Sequence, residues 1–505
     1  MTSIHEALGR LWDANDHDRM LECDGRWASW GSVRSLTERI DRELNAAGCQ
    51  TGGRVAVVLS NRMESVAALI AIFRGGRTLV TISPLQPPDR LSDDLAASAA
   101  SFVLAPSALW SEDVFSRAVT GLGATGWRLD GGDLALQVRD TKEAVSGDPA
   151  IAIEMLTSGT TGAPKRVPLT RAQLEASLAS ALQHNDRADA KPKPPLSGTV
   201  GLVTLPIVHI GGLWSLLQSL VAARPIAMLD RFTVPGWHAV VKRYRPAVAG
   251  LPPAAMRSVL DSDIPREDLA SIRAINAGTA AVDPALVDAF FERYGIPILV
   301  VYGATEFSGA VAGWTVKDFH ARWVDKKGSV GRAFPGVQLQ VVGEDGAALG
   351  ANESGRLQVA TLQAGGAGDW ITTSDLAHLD EDGFLYIDGR ADDVIVRGGF
   401  KVSPEIVVRA LRAHPAVADA AVAPVPDQRL GQIPVAAVEL RPGAATDSEA
   451  LREHCRGMLT PYEVPAHVFV VDELPRGAAL KVDRRRLVAM LEDHGVPAET
   501  LATPT

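Results

Sequence analysis

Residues 155–169, MLTSGTTGAPKRVPL, concentrate small hydroxyl side chains, glycines and one cation between apolar flanks. Glycines let the backbone approach a ligand closely, and successive amides with Thr and Ser hydroxyls can donate to phosphate oxygens. The candidate phosphate-binding residues are Thr157, Ser158, Gly159, Thr160, Thr161, Gly162 and Lys165. Pro164 precedes the lysine and no hydroxyl follows it, which disfavours the P-loop of kinases and GTPases. Taken alone, such a stretch is more often a flexible polar turn.

Helix and strand patterns alternate around this loop. RVAVVLS and TLVTIS are strand-like and flank the helical stretch RMESVAALIAIFRGG. The same order recurs between residues 201 and 230 and again between residues 272 and 303. This alternation predicts parallel sheets with helices on their faces. In an earlier helix, residues 32–48, the apolar positions recur one turn apart, with Ser32 as the expected N-cap and Gly48 as the C-terminal stop.

The residue pattern of the chain changes after about Gly328. Short alternating strands with Gly or Asp-Gly turns predict a small β-subdomain there. Beyond GRADD, a helix capped by Ser403 with Pro404 at its first position precedes three further strands. We therefore expect an α/β protein. Its large N-terminal domain, residues 1–391, comprises two parallel-sheet subdomains plus the β-subdomain, and a small mobile α+β domain spans residues 392–505.

Composition narrows the classes of function. The 505 residues are 46% hydrophobic and 22% charged, with a formal net charge of −10. Basic residues form only short clusters, so neither a nucleic-acid nor an anionic-membrane surface is expected. The cysteines, Cys23, Cys49 and Cys455, have no metal-ligand spacing and do not indicate a disulfide framework. Neither a signal peptide nor a membrane span is evident, and we expect a cytoplasmic protein.

Several further segments occur in one order along the chain. They are INAGTA (275–280), VYGATE (301–306), GSVGRAFPG (328–336), TTSDL (372–376), DGRADDVIVRGGFKVSP (388–404) and LPRGAALKVDRRRL (474–487). Together with TSGTTGAPK, their order and separation resemble those of the adenylate-forming superfamily, in particular its acyl-CoA synthetase branch. The resemblance spans residues 150 to 487 and outweighs the polar-turn interpretation of the first loop.

The resemblance implies a nucleotide site. The Thr157–Gly162 stretch and Lys165 would hold the β- and γ-phosphates of ATP, and Thr305 would donate to the α-phosphate. Glu306 would help to hold Mg²⁺, and Asp375 would accept hydrogen bonds from the ribose hydroxyls with Arg390 nearby. The residues that would enclose adenine are Gly278, Thr279, Ala280, Tyr302 and Gly303. His209 matches a position that closes the acyl pocket, although a core histidine is an equally good interpretation.

The same resemblance implies a moving lid. Lys481 resembles the adenylation lysine, which bridges the carboxylate and the α-phosphate, and Asp392 occupies the hinge position. After rotation of the C-terminal domain, coenzyme A would enter along the loop Gly398, Gly399, Phe400 and Lys401. Without the resemblance, Asp392 would be interpreted as a solvated charge in a linker, and Lys481 would be interpreted as part of a basic surface. The implied reaction forms an acyl-AMP from ATP and an acid, and then a thioester.

Four features depart from the family pattern. Ser374 and Leu480 stand where glycine is usual, Arg166 follows Lys165 where glycine is common, and the 355–375 segment is short. Three of the four fall near the adenylation machinery. An alternative is therefore a specialised enzyme that chiefly thioesterifies a preformed acyl-adenylate. A second alternative is a non-catalytic protein that binds AMP or acyl-AMP, although Lys165, Glu306, Asp375 and Lys481 are all retained.

The acid is expected to be hydrophobic. The candidate walls VHIGGLW, INAGTA and GATEFSGAVAGW are apolar and rich in glycine and alanine, with no charged partner for a substrate amine. The expected partners are thus a carboxylic acid or its adenylate, and coenzyme A. The sequence leaves open a homodimer, a partner enzyme, or a carrier protein as thiol acceptor.

Overall fold

The computed structural model describes residues 3–140, 147–157, 165–184, 193–278, 280–364, 369–398, 400–427, 429–477 and 480–493. Of the predicted site residues, Ser158, Gly159, Thr160, Thr161, Gly162, Thr279 and Gly399 lie outside these ranges. No helix in the described ranges is both long enough and apolar enough to cross a bilayer.

The first part of the chain forms a mainly parallel sheet flanked by helices. The strands in this part of the chain are β1 (Arg19–Cys23) and β2 (Arg26–Ser29), which belong to a separate sheet, and β3 (Arg54–Val58), β4 (Thr78–Ile82), β5 (Phe102–Ala105), β6 (Thr125–Asp130), β7 (Asp133–Val138), β8 (Ile151–Thr157) and β9 (Lys165–Thr170). Its helices are α1 (Ile4–Gly9), α2 (Trp30–Ala46), α3 (Met63–Arg74), α4 (Pro88–Ala97), α5 (Ser107–Trp110), α6 (Asp113–Leu122) and α7 (Arg171–His184).

Seven of these strands form one sheet in the order β7-β6-β5-β3-β4-β8-β9. The inner five pair in parallel, and the outer strands β7 and β9 each close an antiparallel hairpin. Parallel sheets need helices on both faces, which is why α3 is buried along almost its whole length. The strand–helix–strand prediction for β3, α3 and β4 is confirmed.

Helix α2 corrects one detail of the sequence analysis. It begins at Trp30, and its N-cap is Ser29, whose hydroxyl accepts from the backbone N–H of Ser32. The prediction of Ser32 as the N-cap was wrong because the apolar periodicity starts one turn earlier, with buried Trp30. The helix ends at Ala46, and Gly48 adopts φ +83°, the left-handed conformation that terminates helices.

The second part of the chain repeats the parallel arrangement. Its strands are β10 (Gly201–Val203), β11 (Ile226–Met228), β12 (Val248–Gly250), β13 (Ala274–Ala277), β14 (Ile298–Ala304), β15 (Gly309–Gly313) and β16 (Arg332–Ala333). Its helices are α8 (Ile210–Val221), α9 (Val234–Tyr244), α10 (Pro253–Leu260), α11 (Pro284–Tyr294) and α12 (Val316–Arg322). Strands β12, β13 and β14 pair in parallel, and β14, β15 and β16 continue the sheet antiparallel.

A smaller antiparallel sheet follows, as the Gly- and Asp-Gly-rich stretch predicted. It consists of β17 (Val337–Val342), β18 (Gly355–Thr361), β19 (Trp370–Leu379) and β20 (Leu385–Arg390), paired in chain order. Leu357 and Ala377, on the inner face of this sheet, share an apolar core with residues of β14 and with Val311 of β15. The small sheet therefore packs beside the end of β14.

The last part of the chain has its own cores. Its strands are β21 (Ile395–Arg397), β22 (Phe400–Val402), β23 (Val417–Asp427), β24 (Gly431–Leu440) and β25 (His467–Val471), and its helices are α13 (Pro404–Arg412), α14 (Ser448–Arg456) and α15 (Arg484–Asp493). Two apolar clusters, drawn from residues 395–491, lie on this sheet. We call residues 395–493 the C-terminal unit and residues 3–390 the N-terminal unit.

Candidate active site

Strands β13 and β14 end at the same edge of the second sheet and deliver Gly278, Tyr302 and Gly303 there. Ligands bind at the carboxyl ends of parallel strands because the loops there diverge and leave a crevice. A Cβ on Gly303 would lie 2.6 Å from the Cα of Ala310, and one on Gly278 would lie 2.7 Å from the carbonyl oxygen of Val301. Only glycine fits at both positions without displacing the backbone.

A short 3-10 turn, Thr305–Phe307, follows β14 directly. Thr305 is partly exposed and Glu306 is exposed, so both side chains are accessible at the sheet edge. The turn closes through Ser308, which adopts φ +54° and donates its N–H to the carbonyl of Thr305 over 2.9 Å. Strand β9, which begins with Lys165, contacts this turn.

The predicted phosphate loop connects β8 to β9. Thr157 and Lys165 are paired across this antiparallel hairpin, and Lys165 is exposed. The hairpin thus brings both ends of the Thr157–Lys165 segment to the turn that carries Thr305 and Glu306. Ala280, at the other side of this edge, is also exposed.

Asp375 meets the end of β14 from the small sheet. The Tyr302 hydroxyl donates a hydrogen bond to the Asp375 carboxylate. The backbone N–H of Asp375 donates to Thr373 Oγ1 over 3.0 Å. Burial, reinforced by the negative charge of Asp375, raises the pKa of Tyr302 far above its ordinary value. The phenol is therefore a neutral donor at physiological pH.

Arg390 lies across the small sheet from Asp375. The two residues are paired in register between β19 and β20, with Arg390 Nε 3.9 Å from the Asp375 carboxylate. Arg390 also donates to the Ser374 hydroxyl. Ser374 thus gives the arginine an acceptor that glycine could not supply.

Lys481 reaches this region from the C-terminal unit on a small hairpin. Arg476 and Val482 form an antiparallel bridge, and Gly477 donates its N–H to the Lys481 carbonyl over 2.8 Å. Desolvation, followed by the charge of Arg390, lowers the pKa of Lys481, although its side chain remains exposed. Lys481 is thus within electrostatic range of Arg390.

His209 is the third residue of interest in this region, beside Arg390 and Lys481. It precedes α8, is partly buried, and makes no side-chain capping hydrogen bond to that helix. Burial, followed by the positive charge of Lys481, lowers its pKa. Lys481 is therefore within electrostatic range of both His209 and Arg390, although the three residues come from separated segments of the chain.

The predicted coenzyme loop belongs to the β21–β22 hairpin. Gly398 adopts φ +57° and donates its N–H to the Leu430 carbonyl over 2.7 Å. The exposed ring of Phe400 stacks on Tyr462 with a centroid separation of 4.6 Å. These contacts lie within the C-terminal unit, and Lys401 follows in β22. Asp392 belongs to the 3-10 turn Ala391–Asp393 between the two units.

Arg166, one of the four departures from the family pattern, forms an internal ion pair. Its guanidinium forms an ion pair with Asp94 of α4 and donates to the Thr81 carbonyl over 3.2 Å. Both side chains are largely buried within the first sheet's helical layer. Arg166 follows Lys165 in β9, and because alternate residues of a strand point to opposite faces, its side chain is directed away from that of Lys165.

Two positioning contacts were missed by the sequence analysis. Arg476 pairs with Asp419 at the base of the Lys481 hairpin, and Arg484 pairs with Asp393 beside the turn between the units. Arg476 and Asp393 both lie in motifs that the sequence analysis quoted. Their partners are distant in sequence, so no local pattern identified them.

Within the described residues, no group of three or more His, Cys, Asp and Glu side chains is arranged to hold a metal ion. Mg²⁺ does not need such a cage, because it commonly takes one or two carboxylates together with phosphate oxygens and water. The exposed carboxylate of Glu306, next to Thr305, fits that requirement.

Comparison with known proteins agrees with this architecture. The family model of AMP-binding enzymes matches residues 12–364, and that of the AMP-binding enzyme C-terminal domain matches residues 409–481. A 4-coumarate–CoA ligase of Oryza sativa is 29% identical over 97% of this chain and 94% of its own length. A sulfoacetate–CoA ligase of Cupriavidus necator is 31% identical over 92% of each chain.

The fold has solved counterparts as well. The o-succinylbenzoate CoA synthetase of Bacillus subtilis, in complex with its acyl-adenylate intermediate, superposes with a TM-score of 0.77 at 25% identity. The superposition covers 95% of this chain and 97% of that one. The chain belongs to the AMP-binding enzyme family, in the acyl-CoA ligase branch of the adenylate-forming superfamily. It is thus an enzyme of the ATP-dependent, AMP-forming acid–thiol ligase class.

Proposed function

We propose that this enzyme joins a hydrophobic carboxylic acid to coenzyme A through an acyl-AMP intermediate. The observation that carries the proposal is that Leu480, next to Lys481, packs on an apolar core of the N-terminal unit, so that the candidate adenylation lysine lies where the two units meet. A carboxylate is a poor acyl donor because its leaving group would be oxide. Attack of one carboxylate oxygen on the α-phosphorus of ATP forms the mixed anhydride and releases pyrophosphate.

The first half-reaction gathers negative charge, which the site's cations and donors would offset. Lys481 would bridge the substrate carboxylate and the α-phosphate, and Thr305 would donate to the α-phosphate. Lys165 and the Thr157–Gly162 segment would hold the outer phosphates. Mg²⁺ held by Glu306 would neutralise phosphate charge, so that the carboxylate can approach.

The nucleoside would lie at the end of β14. Asp375, oriented by the Tyr302 hydroxyl, would accept from the ribose hydroxyls, with Arg390 beside it. The residues that would enclose adenine are Gly278, Thr279, Ala280, Tyr302 and Gly303. Gly278 and Gly303 lie so close to the backbone of Val301 and Ala310 that this edge of the sheet, where the adenine would lie, is tightly packed.

The acid would lie between α8 and the start of β15. A Cβ on Gly309 would be 3.6 Å from the Trp214 ring and 2.9 Å from Ser177 Oγ, so these two groups lie just behind the glycine. Residues 208–214 and 307–314 contain no Asp, Glu, Lys or Arg. Walls that carry an indole and no charged side chain in these two segments favour a hydrophobic monocarboxylic acid over a dicarboxylate or an amino acid. His209 would close this site.

The second half-reaction would require the C-terminal domain, residues 392–505, to rotate about Asp392. Thiolate attack on the acyl carbon then expels AMP. The pantetheine thiol would enter along Gly398, Gly399, Phe400 and Lys401. The two glycines have no side chains, which leaves space for it. A carrier-protein thiol remains an alternative acceptor.

A panel of acids, with ATP, Mg²⁺ and coenzyme A, tests the proposal. We expect pyrophosphate release that depends on the acid, and a thioester detected by mass spectrometry, with aryl or branched monocarboxylic acids ahead of dicarboxylic and amino acids. A thioester formed only from a supplied acyl-adenylate would instead identify a specialised thioesterification enzyme. AMP binding without either half-reaction would identify a binding protein.

A further inference from the structure

Leu480, the residue before the candidate adenylation lysine, adopts φ +58°. This is the left-handed region, where a leucine side chain crowds its own backbone and where glycine is normally found. The chain therefore tolerates a strained conformation at this position. Because leucine is strained in this conformation, we infer that its side chain makes a stabilising contact that glycine could not make.

That contact is with the N-terminal unit. The Leu480 side chain is partly buried against the second apolar core, which is built from residues 202–323 and Phe384. Among the described residues beyond Asp392, Leu480 is the one apolar side chain that packs on a core of the N-terminal unit.

The other side of the hairpin is fixed to the C-terminal unit. Arg476 pairs with Asp419, lies 3.6 Å from the Glu439 carboxylate, and donates to the Leu480 carbonyl over 3.4 Å. The Arg476–Val482 segment thus moves with the C-terminal unit, while its partly buried Leu480 side chain packs on the N-terminal unit. Any rotation of the C-terminal unit must first withdraw this side chain.

We propose that Leu480 is a positioning residue that anchors the C-terminal unit in the orientation that places Lys481 at the cleft. This inference rests on the proposed function, in which that orientation serves acyl-AMP formation and a rotated one serves thioester formation. An apolar contact made in only one orientation shifts the population toward it. Loss of the anchor should therefore slow the first half-reaction and leave the second unchanged or faster.

Three substitutions separate the anchor from the backbone strain. Leu480→Met retains an apolar side chain of similar size. Leu480→Asn retains the approximate size and suits the left-handed conformation but removes the apolar contact. Leu480→Gly removes both the strain and the contact. If strain rather than anchoring mattered, the Asn and Gly variants would match or exceed the unaltered enzyme in acyl-AMP formation.

The first measurement is the rate of each half-reaction. We expect pyrophosphate release without coenzyme A to fall about tenfold in Leu480→Asn and Leu480→Gly, the scale expected for losing much of a buried leucine side chain. Leu480→Met should stay within about twofold, and thioester formation from supplied acyl-adenylate should not fall in any variant. Unaltered pyrophosphate release in the Asn and Gly variants, with normal thermal unfolding, would overturn the proposal.

A second measurement does not depend on catalysis. Spin labels at exposed Lys317 of α12 and Glu405 of α13, with the three native cysteines replaced, report the distance between the units. We expect a distribution that broadens or shifts in the Asn and Gly variants and is retained in Leu480→Met. Identical distributions in all four proteins would refute the anchor. If the unaltered enzyme forms no thioester with any acid, the proposed function fails, while this distance measurement still decides the anchor.

Discussion

The Tyr302 hydroxyl donates a hydrogen bond to the carboxylate of Asp375, which joins the end of a parallel strand in one sheet to a strand of the small antiparallel sheet. The two residues are 73 positions apart. The carboxylate is thereby oriented before any ligand binds. Orientation of a ligand-binding group in advance lowers the entropic cost of binding.

Replacing Tyr302 by Phe should weaken ATP binding. The ring and its packing are retained, while the hydrogen bond that orients Asp375 is lost. A net contribution of about 1 kcal/mol predicts a rise of about fivefold in KM for ATP, with kcat changed less. Steady-state kinetics with varied ATP provide the measurement. Tyr244→Phe is the matched control, because its hydroxyl accepts from Trp27 Nε1 over 3.1 Å, away from the site.

Removal of the Lys481 side chain should separate the two half-reactions. We expect Lys481→Ala to lower acyl-AMP formation by at least about 100-fold, because a charge that offsets the developing negative charge is lost. Thioester formation from supplied acyl-adenylate should stay within about threefold. The exposed Lys317→Ala serves as control, and equal loss in both half-reactions would contradict the assigned role.

The lowered pKa of Lys481 predicts an alkaline limb in the rate of acyl-AMP formation. Desolvation, then the charge of Arg390, moves the pKa below its ordinary value of 10.5. Lys481 therefore loses its proton, and its charge, at a lower pH than a lysine with the ordinary pKa would. The pH profile of pyrophosphate release should fall before pH 10.5, and Lys481→Arg should move that fall upward. A limb unchanged by the arginine substitution would assign it to another group.

His209 should make the protein less stable in acid. Burial, then the charge of Lys481, lowers its folded pKa below the ordinary value of 6.5, so the unfolded chain binds the proton more readily between the two values. Stability should therefore rise with pH up to about 6.5. In His209→Asn, the difference in unfolding free energy between pH 5 and pH 7.5 should shrink by about 1 kcal/mol. Urea unfolding at both values measures it, with exposed His5→Asn as control.

The ion pair between Arg166 and Asp94 should matter for stability rather than for chemistry. Arg166→Met alone leaves a buried carboxylate without its partner and should cost about 3 kcal/mol of unfolding free energy. The double variant Arg166→Met, Asp94→Leu should recover most of that loss, since neither charge remains buried. Chemical denaturation measures both. A large fall in kcat of the folded single variant would place Arg166 in the catalytic site after all.

Local sequence patterns identified the elements of this fold. The parallel pairing of β3 with β4, the buried helix α3 between them and the small antiparallel sheet all followed from apolar periodicity and turn residues. These properties depend on neighbours within a few residues, which is why a single sequence carries them. The order of the quoted motifs likewise sufficed to indicate the family.

Contacts between distant segments were decided only by the tertiary structure. The resemblance implied that Lys481 serves the site from the C-terminal domain, but not that Leu480 beside it packs on a core of the N-terminal unit. It presented Arg166 and Leu480 as similar departures from the pattern. The fold directs Arg166 into an internal ion pair and Leu480 across to the opposite unit. Such outcomes depend on which surfaces pack together, and periodicity reports that a face is buried but not what covers it.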